Sequence, residues 1–243
     1  VLRSTILCLF EGERREHEYF YSLQSKFFNE EQVDIVKCSY GNDIFELFEE
    51  LEKDDDLNLF DLVKESVLTP NNKVLLDKLT FEDVNQIYLF FDMECQDDKY
   101  DASTLTKMLE IFNLEDDKGK LFLSYPMVEA LRDVPSLEDY KNLKVDVENC
   151  RGKKYKKLSA DRGMNYLHQI KKLTLENWKE LIKANVEKTN YFIEGRSHFE
   201  TCYDQNEILD AQIKSIDTDN HIYVLSAYPL FAFYHFPKGD LNL

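Results

Sequence analysis

The chain has 243 residues, 43% of them hydrophobic, and its 47 acidic against 30 basic side chains give a formal net charge of −17. That size and apolar content support one large or two modest globular domains, while the charge opposes nonspecific polyanion binding over the whole surface. No apolar run reaches the roughly 18 to 20 residues of a membrane span, no secretory signal is readable, and five scattered cysteines without a CxxC pair or a Cys/His cluster argue against zinc and for a reducing cytoplasm.

In chain order, residues 4–10 (STILCLF) predict a buried strand that Glu11-Gly12 ends. Tyr19 or Phe20, Leu23 and Phe27 then recur at helical spacing, with Glu16, Glu18 and Gln24 between them. Residues 32–38 predict a second strand from Val33, Ile35 and Val36. After the break at Tyr40-Gly41-Asn42 comes a helix carrying Ile44, Phe45, Phe48 and Leu51, and residues 57–79 read as further helix interrupted at Pro70-Asn71-Asn72. Residues 42–80 are therefore expected to be a helical insertion. Within them and at their edge, residues 43–61 carry nine carboxylates and one lysine, Lys53, which reads as a solvated helix face and loop or as a partner-docking surface.

Residues 86–91 (QIYLFF) are the clearest strand, continuously apolar as a sheet covered on both faces requires, and they run straight into Asp92-Met93-Glu94. Asp101-Ala102-Ser103 offers a cap for a helix holding Leu105, Met108, Leu109 and Phe112. Residues 120–124 (KLFLS) predict a fourth strand ending at Tyr125-Pro126. Alternating strands and helices imply an α/β domain with a parallel sheet over residues 1–135. Residues 136–243 read as a mainly helical C-terminal domain, since Leu175, Trp178, Leu181, Ile182 and Val186 keep helical spacing behind Thr174 as N-cap. The apolar stretch 222–236 is expected to be buried against the first domain.

In a parallel sheet the strand C-termini open onto one edge, where ligand sites gather. Glu11 follows the first strand directly and Asp92 and Glu94 follow the third, so three carboxylates should face one crevice. Carboxylates this close raise one another's pKa, and a bound cation keeps them ionised; an all-oxygen set suits Mg2+ or Mn2+. Gly12 is expected to give the chain a permissive backbone between strand and helix and to leave room for a phosphate.

The segment Leu9-Phe10-Glu11-Gly12-Glu13-Arg14-Arg15-Glu16-His17-Glu18-Tyr19-Phe20 resembles the EGExxE...YF start of Toprim-type domains in bacterial defence proteins, among them RloB-like and OLD-like proteins and the AriB-type effector of PARIS systems. In that comparison Glu11 stands as the Toprim glutamate and Glu16 as the second acid one helical turn on. Asp92-Met93-Glu94 takes the place of the Asp-x-Asp motif after a hydrophobic strand. Ser124-Tyr125-Pro126-Met127-Val128-Glu129 is similar to the Asn-Pro-x-Phe-Glu type of motif that follows the next strand in RloB-like proteins. The resemblance covers about residues 1–133. Glu94 departs from the usual second Asp, and Arg15 stands where these relatives often have Thr, either to contact a phosphate or to pair with an acidic neighbour.

The resemblance implies a Toprim-like (Rossmann-like) fold and metal-dependent phosphodiester chemistry. Glu11 would transfer a proton or touch the metal, Asp92 and Glu94 would hold it, Glu16 would complete a second metal site, and Glu129 would order a ligand or cap a helix. It also implies an ABC-like or SMC-like ATPase as partner. The expected function is a Mg2+-dependent nuclease effector of a prokaryotic anti-phage system, cleaving RNA (tRNA among the choices) or DNA. The alternative is a non-catalytic Toprim-like binding or regulatory subunit of an ATPase-containing defence complex. A cytoplasmic protein without membrane contact is expected, and an oligomer is compatible.

Residues 151–172 form the basic island of the sequence, eight Lys and Arg against Asp161 alone. Lys153, Lys154, Lys156, Lys157 and Arg162, interleaved with Tyr155, Tyr166 and His168, could guide a nucleic-acid backbone while the rings stack on bases; a solvated basic helix is the other reading. Five histidines without HxH or HExxH spacing argue against a histidine metal site. The chain has no GxxxxGK[ST] loop and no GxSxG elbow, so neither an NTPase nor a serine hydrolase is expected.

Overall fold

Continuous apolar runs build the centre of a sheet. In the computed structural model, which describes residues 3–53, 58–66, 74 and 76–241, the strands are β1 (Ser4–Phe10), β2 (Val33–Ser39), β3 (Gln86–Asp92), β4 (Asn113–Leu114) and β5 (Gly119–Ser124). Their order is β2-β1-β3-β5-β4. β1 runs parallel to both neighbours, with Phe10 opposite Ser39 on one side and Phe90 on the other. β4 and β5 pair antiparallel. Leu7 to Phe10 and Ile87 to Phe91 are at most 3% exposed, as strands covered on both faces must be. The result is an α/β protein with a mostly parallel five-stranded sheet flanked by helices, compatible with a Rossmann-like fold. No helix among the described residues is long and apolar enough to cross a membrane.

The chain divides into two compact units, one of Val1–His17, Phe28–Phe91 and Asp101–Leu121, the other of Glu18–Phe27, Asp92–Tyr100 and Phe122–Leu243. In the first, α2 (Ile44–Glu52) starts at Asp43, whose side chain accepts the Glu46 N–H, and buries Ile44, Phe45, Leu47 and Phe48. Its Glu49, Glu50 and Glu52 are exposed, so this part of the acidic run is a solvated helix face. α3 (Leu59–Ser66) follows, and Pro70-Asn71-Asn72 lies outside the described residues. α4 (Ala102–Ile111) is capped by the Asp101 carboxylate, which accepts from the Thr104 N–H and hydroxyl at 2.7 and 2.6 Å.

Helix α1 (Arg15–Phe27) continues from the first unit into the second and buries Tyr19, Phe20 and Leu23, three of the positions that the spacing predicts. Trp178, fully buried, donates its Nε1–H to Ser22 Oγ at 3.1 Å, and that hydroxyl donates to the Ile170 carbonyl at 2.6 Å. α5 (Gly152–Arg162), α6 (Leu175–Glu194), α7 (Gln205–Asp219) and α8 (Ala227–His235) supply the helical character expected beyond residue 135. Thr174 caps α6 together with Asn177. The apolar C-terminal stretch forms β7 (His221–Tyr223) and α8, and Phe231 sets its ring against Phe20 and Phe122 at 5.9 and 5.7 Å. The mainly helical expectation misses a two-stranded sheet: β6 (Lys144–Asp146) pairs antiparallel with β7, and three residues are too few for alternation to reveal a strand.

Candidate metal centre

Register places the acids. Because Phe10 and Phe90 are paired across β1 and β3, the residues leaving both strands emerge side by side. Glu11 donates its N–H to the Phe90 carbonyl at 3.1 Å and accepts at its own carbonyl from the Gly41 N–H at 2.9 Å, which ties its backbone to the strand on either side. Asp92 ends β3 and is 5% exposed. Met93 is held by its N–H to the Ser124 carbonyl at 3.0 Å. Glu94 then turns the chain with φ +50°, a left-handed conformation that costs a non-glycine residue on the order of 1 kcal/mol and concentrates at functional sites.

The consequence is a cluster in which one carboxylate oxygen from each of Glu11, Asp92 and Glu94 lies within 4.8 Å of the others, with Asp92 buried and the other two half-buried. Oxygens on a single octahedral ion at roughly 2.1 Å stand about 3 to 4.2 Å apart, close to the spacing of these three. At 4.8 Å, like charges repel by about 3 kcal/mol per pair at an effective dielectric of about 20. A bound cation reverses the sign of that interaction. The acidic triad can therefore hold a metal ion.

Other expected residues lie in different settings. The Glu16 carboxylate folds over Gly12, so that a Cβ on Gly12 would stand 2.8 Å from both of its oxygens; Glu16 is not one of the three clustered acids. This also corrects the reason for Gly12. Its φ is not in the left-handed region, α1 begins only at Arg15, and the missing side chain makes room for the Glu16 carboxylate rather than for a sharp turn. Glu129 is 3% exposed in a short turn (Val128–Leu131) that follows the cis Tyr125-Pro126 bond, and its Oε2 has no hydrogen-bond partner within the protein. A buried acceptor left this way costs about 1 to 3 kcal/mol.

Two contacts around the cluster escape sequence reasoning. Gln96 donates its Nε2–H to Glu94 Oε2 at 2.8 Å and accepts at Oε1 from Cys95 Sγ at 3.5 Å. His17 Nε2 meets Ser39 Oγ at 2.8 Å, and that hydroxyl donates to the Gly12 carbonyl at 3.1 Å. Since the single Ser39 proton goes to Gly12, the hydrogen-bond network makes His17 Nε2 the donor. Burial, and then the Lys37 charge, lower the His17 pKa, which keeps the ring neutral in this role. No motif announces a Gln two residues after an acid, but a His one turn into the helix behind Glu11 is a signal that could have been read.

The basic island divides. Lys153, Lys154, Lys156 and Lys157 are exposed on α5. Tyr155 and Arg162 are not part of that surface. Tyr155 is fully buried and donates its hydroxyl to Asp133 at 2.8 Å, while Arg162 grips the same wholly buried carboxylate from Nε and Nη2 at 2.5 and 2.6 Å. Position 163, the C-cap of α5, requires glycine because a Cβ there would stand 2.1 Å from the Arg132 carbonyl oxygen. Base stacking by Tyr155 and phosphate contact by Arg162 are thus replaced by a structural ion pair: a fully desolvated Asp needs a fixed cation more than a solvated ligand does. Tyr166 is half-buried and His168 exposed.

No family model, curated protein or solved structure matches the chain. Its class rests on the α/β sheet and on the acidic strand-end cluster.

Proposed function

We propose that the protein is a divalent-metal-dependent phosphodiesterase of the Toprim type, a nuclease that acts on RNA or DNA. The observation that carries this reading is the convergence of Glu11, Asp92 and Glu94 within 4.8 Å at the ends of two adjacent parallel strands. The motif resemblance around Glu11, Glu16, Asp92-Met93-Glu94 and Glu129 adds the reaction class. Asp92 and Glu94 would hold Mg2+ or Mn2+ with Glu11, and such an ion would neutralise phosphate charge at the scissile bond. Glu11, half-buried and backbone-anchored, would accept a proton from the attacking water or touch the metal, and Glu16, over Gly12, would be the second acid for proton transfer. The resemblance further supports a role as effector in anti-phage defence, released or activated by an ABC-like or SMC-like ATPase partner.

The test is incubation of the purified protein with tRNA and with plasmid DNA, with Mg2+ or Mn2+, alone and with its neighbouring gene product. Metal-dependent cleavage lost in Glu11→Ala supports the reading. Cleavage that survives in Glu11→Ala and in Asp92→Asn removes the site from the mechanism.

A further inference from the structure

Gln96 faces two ways. Besides its hydrogen bond to Glu94, it lines a cleft of about 490 Å³ together with Val147, Glu148, Arg151, Lys154 and Asn220. Arg151 and Lys154 are exposed. Arg151 occupies the N-cap position of α5. Lys154 Nζ donates to the Glu148 carbonyl at 3.3 Å, which holds the ammonium at the wall of the cleft. Between them Gly152 faces open space, since a Cβ there would meet nothing within 4 Å. Glu148 contributes an opposing carboxylate, so the two cations outnumber it.

Volume and lining define the ligand. A cleft of this size suits a small ligand or one unit of a chain, and a polar, net positive wall selects an anion that presents oxygens to a guanidinium fork and an ammonium. Lys153, Lys156 and Lys157 continue the charge over the first half of α5, so that the cations from Arg151 to Lys157 extend over about 9 Å. A single small anion would use only one end of that ridge, whereas a strand with successive phosphates uses all of it. The protein's −17 charge would repel such a strand elsewhere.

We propose that this cleft anchors a backbone phosphate of a nucleic-acid strand, with Arg151 and Lys154 as the phosphate contacts and Gln96 as the side chain that joins the anchored strand to the acidic cluster. The identity of the ligand rests on the phosphodiesterase reading; the binding itself does not require catalysis. The measurement is fluorescence anisotropy with labelled 12-nucleotide RNA, DNA and duplex in EDTA, over a salt series, on wild type, Arg151→Ala/Lys154→Ala, and Lys118→Ala as an exposed lysine between β4 and β5.

The double variant should bind at least tenfold more weakly, and its salt slope should fall by about 1.4, at about 0.7 per lost single-strand phosphate contact. Lys118→Ala should match wild type. Absence of wild-type binding, or equal loss in both variants, overturns the cleft. The two proposals fail separately. Cleft-dependent binding without metal-dependent cleavage defeats only the enzyme reading. Cleavage whose KM and salt dependence are untouched by Arg151→Ala/Lys154→Ala defeats only the cleft. Thermal melting of the variants should match wild type, since the substituted side chains are exposed.

Discussion

Two groups of carboxylates in this protein have opposite companions. Asp133 is wholly buried, gripped by both arms of the Arg162 guanidinium and by the Tyr155 hydroxyl; its charge is settled inside the protein and serves the fold. Glu11, Asp92 and Glu94 bring acid against acid at strand ends, two of them half-open to water. In the sequence each is simply an acidic residue beside apolar neighbours. What separates the two settings is the set of neighbours that the fold delivers to each acid, and that is set by elements distant along the chain.

The sharpest break of this comparison is Asp133→Ala. It leaves a half-buried guanidinium and a buried phenol without their acceptor, and removing one partner of a buried pair costs about 3 to 5 kcal/mol. Urea unfolding should show that loss; a midpoint within error of wild type would mean that the pair is not structural. Asp92→Asn should behave in the opposite way. Removing one charge from the cluster relieves repulsion, so in EDTA the variant should be as stable as wild type or more stable by about 1 to 3 kcal/mol. Mn2+ should stabilise wild type and not the variant. A variant that is strongly destabilised in EDTA would place Asp92 with Asp133, as an acid that serves the fold.

How much of this was legible beforehand follows the same division. β1, α1, β2, α2, β3, α4 and β5 each announce themselves because their apolar residues keep one period over seven or more residues or form an unbroken buried run. The three metal-ligand candidates were legible because parallel topology forces strand ends together, so position along the chain became position in space. Arg162 was misread for the converse reason. It sits in a run of lysines, and only a contact 29 residues away, to Asp133, reveals that its charge faces inward. Tyr155 is the same case. Gln96 and Ser39 left no trace, since a hydrogen-bond partner needs one correct atom rather than a pattern.

A smaller effect concerns His17, which keeps the turn after Glu11 in place through Ser39. Burial lowers its pKa from the ordinary 6.5, so the unfolded chain takes up a proton at higher pH than the folded one. This contribution to stability is complete above pH 6.5 and is lost as pH falls below it. The slope is at most one proton, about 1.4 kcal/mol per pH unit. His17→Gln keeps a donor toward Ser39 and removes the titration, so its stability between pH 5 and 7 should be flatter than that of wild type. Equal slopes in the two proteins would show that the ring does not titrate differently on folding.

The smallest expected change in stability tests the residue that links the two kinds of acid. Glu16 is not one of the three clustered acids; its carboxylate occupies the space left by the missing side chain of Gly12. Gly12→Ala puts a methyl 2.8 Å from both oxygens, and the flexible tip of a glutamate can swing away. Gly12 lies outside the left-handed region, so the backbone accepts alanine, and unfolding should change by less than about 1 kcal/mol. The position of Glu16 should change nonetheless. If Glu16 transfers a proton during cleavage, Gly12→Ala lowers kcat while Mn2+ affinity, set by Glu11, Asp92 and Glu94, stays at the wild-type value. Lost Mn2+ affinity would instead make Glu16 part of the metal set, and unchanged kcat would leave it no part in the chemistry.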